Sequence, residues 1–243
     1  MKRFNLEAIN RTLAEKNAVE RVAYGLERFG QGAVLLSSMQ KTASVIMHIF
    51  HRLGAENDIV FVDTGFHFHE TLSLRDAFMR KYKLNIMTLY PKLTPEQQEA
   101  EHSCKLYQTE KGQPVCCAQR KGKPFIDYMN QQAKQLAFGG LRKAEGEARA
   151  SLGILSEDPR FNGYRINPIL DWTDEMVDAY LLKHEVLTHT MHSEGYPSVG
   201  CQCCTTPVKA GEDARAGRWR HLREDGEEGP VYCAMNYSDG SGI

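Results

Sequence analysis

At 243 residues the chain is long enough for one large domain with a well-buried core, and its 30 Lys and Arg nearly cancel its 31 Asp and Glu, leaving a net charge of −1. That balance removes the bulk electrostatic case for nucleic acid or an anionic membrane, and apolar runs as short as Ala33–Leu36 and Val45–Met47 cannot span a bilayer. The opening Met1-Lys2-Arg3-Phe4-Asn5-Leu6-Glu7 lacks the apolar region of an export signal, so seven cysteines imply a reducing, cytoplasmic setting in which paired cysteines serve metal or redox work.

Leu6, Ile9, Leu13, Val19, Val22 and Leu26 recur at helical spacing and predict one or two amphipathic helices ending at Gly30. Ala33–Leu36 reads as a short buried strand, followed by a Ser37-Ser38 turn and a helix over Thr42–Leu53. Asp58–Asp63 is a second strand closed by Thr64-Gly65, Glu70–Lys83 a helix, and Asn85–Tyr90 a third strand. Strands alternating with helices imply a mostly parallel sheet wound by crossovers. Charged residues crowd the segment from Pro95 to Lys123. A helix over Pro124–Gln135 and a short strand at Leu136–Phe138 follow, then a basic loop from Arg142 to Arg149. Thr173 is the expected N-cap of a helix whose apolar face is Met176, Val177, Tyr180 and Leu181. Residues 1–221 read as one α/β domain and 222–243 as a mobile tail.

The cysteines carry the strongest signal. Cys116 and Cys117 are adjacent, Cys201 and Cys204 lie close together, and two such pairs brought together by folding make a four-thiolate cage for an iron–sulfur cluster or a structural zinc. Cys233 stands apart near the C-terminus. Cys203 and Cys104 read as non-ligand thiols, although Cys203 is close enough to replace a neighbour in the cage. Ser37 and Ser38 sit where an open α/β sheet binds anions, and Asp63 ends the next strand as a ribose acceptor or a cap. Arg142, Lys143 and Arg149, with Arg215 and Arg218, offer guanidinium forks to phosphate or sulfate, or simply a solvated basic face. His67 and His69 read as a polar loop in preference to a two-histidine metal site.

These motifs together resemble the cluster-containing branch of the adenylyl-sulfate (APS) and phosphoadenylyl-sulfate (PAPS) reductase family. Cys116-Cys117-Ala118-Gln119-Arg120-Lys121 is similar to that family's Cys-Cys-x-x-Arg-Lys motif, and Tyr196–Thr205 to the segment whose Cys-x-x-Cys completes the cage. Gly140–Glu145 with Arg149 resembles its arginine loop; Phe61–Gly65 and Gly211–Trp219 match further segments. The resemblance implies an adenine nucleotide alpha hydrolase-like, Rossmann-like fold: a mostly parallel twisted sheet with flanking helices. It implies a [4Fe–4S] cluster on Cys116, Cys117, Cys201 and Cys204, with Lys121 offsetting its charge. It implies a phosphosulfate surrounded by Ser37, Ser38, Arg142, Lys143, Arg149, Arg215 and Arg218, with Lys41 as a further phosphate contact. Cys233 would be the nucleophile, forming an S-sulfocysteine that thioredoxin or glutaredoxin resolves to sulfite during assimilatory sulfate reduction.

The chain departs from that pattern around Cys233, where Tyr232-Cys233-Ala234-Met235-Asn236 replaces Glu-Cys-Gly-Leu-His. It departs again after the serines, where Met39-Gln40-Lys41-Thr42 stands in place of a Gly-containing loop. Lys41 therefore keeps PAPS as the alternative to APS. Two other classes share these features: an iron–sulfur tRNA thiolase-like enzyme, which lacks its pyrophosphate loop here, and a zinc-stapled nucleotide-binding protein. No nucleic-acid or membrane partner is expected, and homo-oligomerisation is left open.

Overall fold

The computed structural model describes residues 4–146 and 149–223. Its opening amphipathic segment is two helices, α1 (Leu6–Ala14) and α2 (Ala18–Phe29), because Asn17 starts a new one. The Asn17 side chain accepts from the Val19 and Glu20 amides while Glu20 reaches back to the Asn17 N–H, a reciprocal cap. Strand β1 (Ala33–Ser37), α3 (Lys41–Arg52), β2 (Ile59–Val62), α4 (His69–Tyr82) and β3 (Ile86–Leu89) then alternate. Helices α5 (Pro95–His102), α6 (Gly112–Cys117) and α7 (Lys123–Gln131) lead to β4 (Leu136–Phe138), which pairs with the other side of β1. Strands β5 (Leu155–Asp158) and β6 (Gly163–Ile166) complete a six-stranded sheet of order β3-β2-β1-β4-β6-β5, antiparallel only at β5. Helix α8 (Asp174–Lys183) is capped by Thr173, as its sequence predicts. Among the described residues no helix is long and apolar enough to cross a membrane.

Alternation along the strands divides the core in two. Ala33 and Leu35 of β1, Ile59 and Phe61 of β2, and Leu136 and Phe138 of β4 face one way, toward α2, α3 and α8. Val34, Leu36, Val60, Val62 and Ala137 face the other, against Phe125, Tyr128 and Met129 of α7. A sheet covered on both sides has continuous apolar strands, which is why β1 and β2 are legible from composition.

The sequence expectation needs three corrections. The charged stretch after Pro95 contains α5, with Thr94 and Gln97 in a capping box and Pro95 at the first position. The helix expected over Pro124–Gln135 ends at Gln131 and begins earlier, joined to α6 by a π turn at Ala118–Gly122. Strands β5 and β6 had no apolar signature because they bury charge: the Asp158 carboxylate, fully enclosed, accepts from Arg160 and Arg165, the latter at 3.0 Å.

Gly25 fixes how closely α2 approaches β4. A Cβ there would lie 2.5 Å from Phe138 Cζ and 3.0 Å from Leu136 Cδ2, both in the packed core. Gly25→Val should therefore cost about 1–3 kcal/mol through overpacking, or a fall of several degrees in Tm measured by circular dichroism. An unchanged Tm would mean that α2 rides freely over β4.

Candidate functional site

The order β3-β2-β1-β4 reverses direction at β1, so the crevice beyond the carboxyl ends of β1 and β4 is where an open α/β sheet receives a ligand. The loops meet closely there. A Cβ on Gly140, just past β4, would sit 2.6 Å from Thr42 Oγ1 at the start of α3. Ser37 ends β1 with its hydroxyl accepting the Met39 amide at 3.2 Å. Ser38 is exposed beside it. Asp63, past β2, accepts the Gly65 amide at 2.9 Å, which is the capping role of a turn.

The basic residues assigned to this edge are paired with acids. Arg142 is buried and donates to Asp174 at 2.7 Å, with Glu145 also beside it. Arg149 pairs with the same Glu145. Lys41 donates to Asp178 of α8 at 2.7 Å, while Lys143 is exposed next to Arg142. The basic loop is thus a pre-formed lattice of ion pairs, and an anion entering it replaces carboxylate partners.

The cysteine pairs do come together. Cys116, Cys117, Cys201 and Cys204 line one buried space with Cys203, Arg120, Lys121, Phe66, Tyr107, Gln113 and Trp219. The π-turned helix sets Arg120 and Lys121 four residues beyond Cys116 and Cys117, so two cations share a face with two thiols. Arg120 Nε donates to the Thr64 carbonyl at 2.6 Å and its guanidinium stacks on Phe66. Thr64 Oγ1 lies 3.4 Å from Cys201 Sγ, and Gln113 Nε2 donates to Cys117 Sγ at 3.2 Å. The second pair is anchored through backbone: Gln202 N–H donates to Phe66 O at 2.7 Å, and Val199 N–H to Gln40 Oε1 at 3.0 Å. The space therefore lies just beyond β2, on the same carboxyl edge of the sheet as the crevice.

Electrostatics in that space act oppositely on two of the thiols. Burial, with the neighbouring Cys201 and Cys204, pushes Cys116 up to about 11. The hydrogen bond with Cys203 at 3.7 Å draws Cys204 down to about 7 and drives Cys203 upward. Among the described residues no group of three or more His, Cys, Asp or Glu side chains is drawn tightly enough to hold a metal ion as it stands.

Arg215 and Arg218 lie against Trp219, at 5.9 and 4.8 Å from its ring centre, and so border the cysteine space. Gly200 allows this, since any Cβ there would collide with the Arg218 guanidinium. His67 and His69 do not form a site: His67 bonds the Val62 carbonyl at 3.0 Å, and His69 bonds Ser73. Cys233, and with it the tail from residue 224, lies outside the described residues. Sequence reasoning passed over Arg120, Gln113 and Trp219; the first stood one residue from Lys121 in the quoted motif.

A family model described as the phosphoadenosine phosphosulfate reductase domain matches residues 32–207. The adenosine 5′-phosphosulfate reductase of Streptomyces coelicolor (strain ATCC BAA-471 / A3(2) / M145) is 39% identical over 214 residues, covering 88% of each chain. Adenosine 5′-phosphosulfate reductase 1 of Bacillus subtilis (strain 168) is 33% identical over 208 residues, 85% of this chain and 88% of that one. Among solved structures, the phosphoadenylyl-sulfate reductase from Candida auris in its phosphate complex superposes with a TM-score of 0.74 at 20% identity, over 86% of this chain and 98% of that one. Candida glabrata FMN adenylyltransferase with FMN and an ATP analogue gives 0.57 at 13% identity, over 91% and 75%. At those identities the two structures speak to the fold alone.

Three histidines beside these elements stay neutral in the fold. Burial holds His48, His67 and His189 down from 6.5 to about 4 each, helped by the charges of His184, Lys121 and His192 respectively. His189 Nδ1 accepts the Met191 amide, so Nε2 carries the proton and donates to Thr71 Oγ1 at 2.8 Å. The unfolded chain takes up protons below about 6.5 that the fold refuses, so stability is full above that value and falls toward pH 4. Tm should drop steadily between about pH 7 and pH 4.5. A flat profile over that range would refute neutral burial of the three rings.

Proposed function

The chain belongs to the phosphoadenosine phosphosulfate reductase family, and on that premise we propose that it is a thiol-dependent oxidoreductase converting adenylyl sulfate to sulfite and AMP. The observation that carries the reading is the convergence of Cys116-Cys117 and Cys201/Cys204 on one buried space at the ligand-binding edge of the sheet. Curated relatives bearing the adenosine 5′-phosphosulfate reductase name over most of their length support the choice of nucleotide.

The residues around that space fit a [4Fe–4S] cluster on two counts. Four buried thiols line one space, a soft donor set suited to an iron–sulfur centre, whose cationic iron would favour their thiolate form. Among the described residues, the Trp219 indole N–H and one Arg120 nitrogen are buried with no acceptor, and both belong to side chains lining the space. Cys116, Cys117, Cys201 and Cys204 would hold the cluster, which would supply a fixed charge next to the strand edge. Arg120 and Lys121 would offset the net negative charge of such a centre taken with its four thiolates, and their burial strengthens that effect.

The transfer itself belongs to the chain's own groups. The Cys233 thiolate attacks the sulfonyl sulfur; a sulfur–sulfur bond forms and the bond to the AMP phosphate oxygen breaks. Arg142, Lys143 and Arg149, with Ser37 and Ser38, stabilise the charge on the departing phosphate, while Arg215 and Arg218 approach from the cage side. Asp63, whose Oδ1 caps the Gly65 turn, would take the ribose with its other carboxylate oxygen. A thiol of thioredoxin or glutaredoxin then attacks the Cys233 sulfur, releases sulfite and leaves a mixed disulfide that its second thiol resolves. This needs a reducing, cytoplasmic setting, in keeping with seven cysteines. PAPS is the second reading, and Lys41 favours it: a cation on the first turn of α3 can exchange Asp178 for a 3′-phosphate.

The direct test is anaerobic intact-protein mass spectrometry after mixing with APS or PAPS and no reductant. A sulfonate adduct on Cys233 with APS alone is expected; an adduct with PAPS alone makes PAPS the substrate, and none with either sinks the reductase reading. Arg142→Ala should lower kcat/KM roughly ten- to hundredfold, the worth of one charged hydrogen bond, with steady-state sulfite release as the measurement.

A further inference from the structure

Cys203 is the fifth thiol on the wall of the cysteine space, and the assigned chemistry gives it no task. In a 3₁₀ turn, residues three apart share a face, so the turn at Gln202–Cys204 puts Cys201 and Cys204 side by side and turns Cys203 away. Its sulfur nonetheless lies 3.7 Å from Cys204 Sγ and lines the same space as the four other thiols. It is also more open to solvent than they are, being half-buried where Cys116, Cys117, Cys201 and Cys204 are buried. The unpartnered, buried indole N–H of Trp219 marks the same wall as one that awaits an acceptor.

We propose that Cys203 is an alternative fourth ligand for the metal centre, able to take the position of Cys204. The inference rests on the iron–sulfur reading above. Exchange between the two is a proton trade without net oxidation: the Cys203 thiol gives up its proton as its sulfur binds, and the Cys204 sulfur takes one as it leaves. Their contact supplies the path, because a thiol at 3.7 Å already hydrogen-bonds its neighbour. Neither the Cys116-Cys117 pair nor Cys201 has such a substitute: among the described residues the remaining cysteine, Cys104, is exposed and does not line this space. Loss of Cys204 is thereby tolerated where loss of Cys201 is not.

The test compares iron and acid-labile sulfide per chain, with the visible absorption spectrum, in anaerobically purified full-length protein. Wild type is measured first; zinc in place of iron there overturns the iron–sulfur premise and the proposal with it. With iron in wild type, Cys204→Ala should keep most of its iron, while Cys201→Ala and the Cys203→Ala/Cys204→Ala double variant should lose at least tenfold. Iron loss in Cys204→Ala equal to that in Cys201→Ala overturns the proposal, as does iron retained by the double variant. Should Cys204→Ala not fold, Cys203→Ala with all four other thiols intact gives the answer through the rate of iron release to a chelator. Release several-fold faster than wild type is expected, since a departing Cys204 then has no replacement, and an unchanged rate overturns the proposal.

Discussion

Arg120 donates to the Thr64 carbonyl across 2.6 Å, and that bond ties the helix bearing one cysteine pair to the strand end facing the other. Thr64 is the hinge of the arrangement. Its carbonyl receives Arg120, its hydroxyl meets Cys201 Sγ, and the same hydroxyl accepts the Phe66 amide. Phe66 in turn accepts the Gln202 amide and packs against Tyr107. Three distant stretches of chain are thereby pinned to the carboxyl end of β2. A guanidinium buried to 2% exposure is costly unless its surroundings offer negative charge. The Thr64 carbonyl, the Phe66 ring face and the electrostatic influence of Cys116 and Cys201 together make the burial of this cation tolerable.

The same economy of charge governs the crevice between β1 and β4. Arg142, Arg149 and Lys41 are held by Asp174, Glu145 and Asp178, and two of those carboxylates belong to α8 or its first turn. Helix α8 therefore acts as a stand-in anion, keeping long basic side chains extended toward the strand ends. Any anion that enters this lattice competes with carboxylates, which lowers the net gain from each contact. It also spares the ordering cost of the side chains, since their rotamers are already chosen. The position of α8 depends on its packing with α3, where the His48 ring bonds the Tyr180 hydroxyl at 2.9 Å.

Legibility followed physical type. Strands β1 and β2 were readable because both faces are covered and every residue but Ser37 is apolar, and α8 because Thr173 announces its start. Strands β5 and β6 were not, since Arg160 and Arg165 share the single Asp158 carboxylate across a turn, a charged pattern that mimics a surface loop. The cysteine spacing foretold that the two pairs would meet, and the fold brings them to one space. It was silent on the π turn, which arises from the backbone and leaves no compositional trace. Reading Arg142 and Arg149 as a basic loop missed Glu145, an acid between them in sequence that pairs with both.

Placement of the cage beside the crevice has a further consequence for the chain. Gln40, in the loop that follows the serines, accepts the Val199 amide at 3.0 Å, so the segment leading to Cys201 is hydrogen-bonded to the start of α3. Where a glycine would leave that loop free of side-chain ties, Gln40 joins it to the cysteine segment. Lys41 is the next residue and reaches Asp178. A change in the seating of the segment before Cys201 is thereby linked to the first turn of α3 through the Gln40 side chain. The cysteine segment and the start of α3 are thus joined by a hydrogen bond from the Val199 backbone to the Gln40 side chain, in the loop whose sequence departs from the resembled pattern.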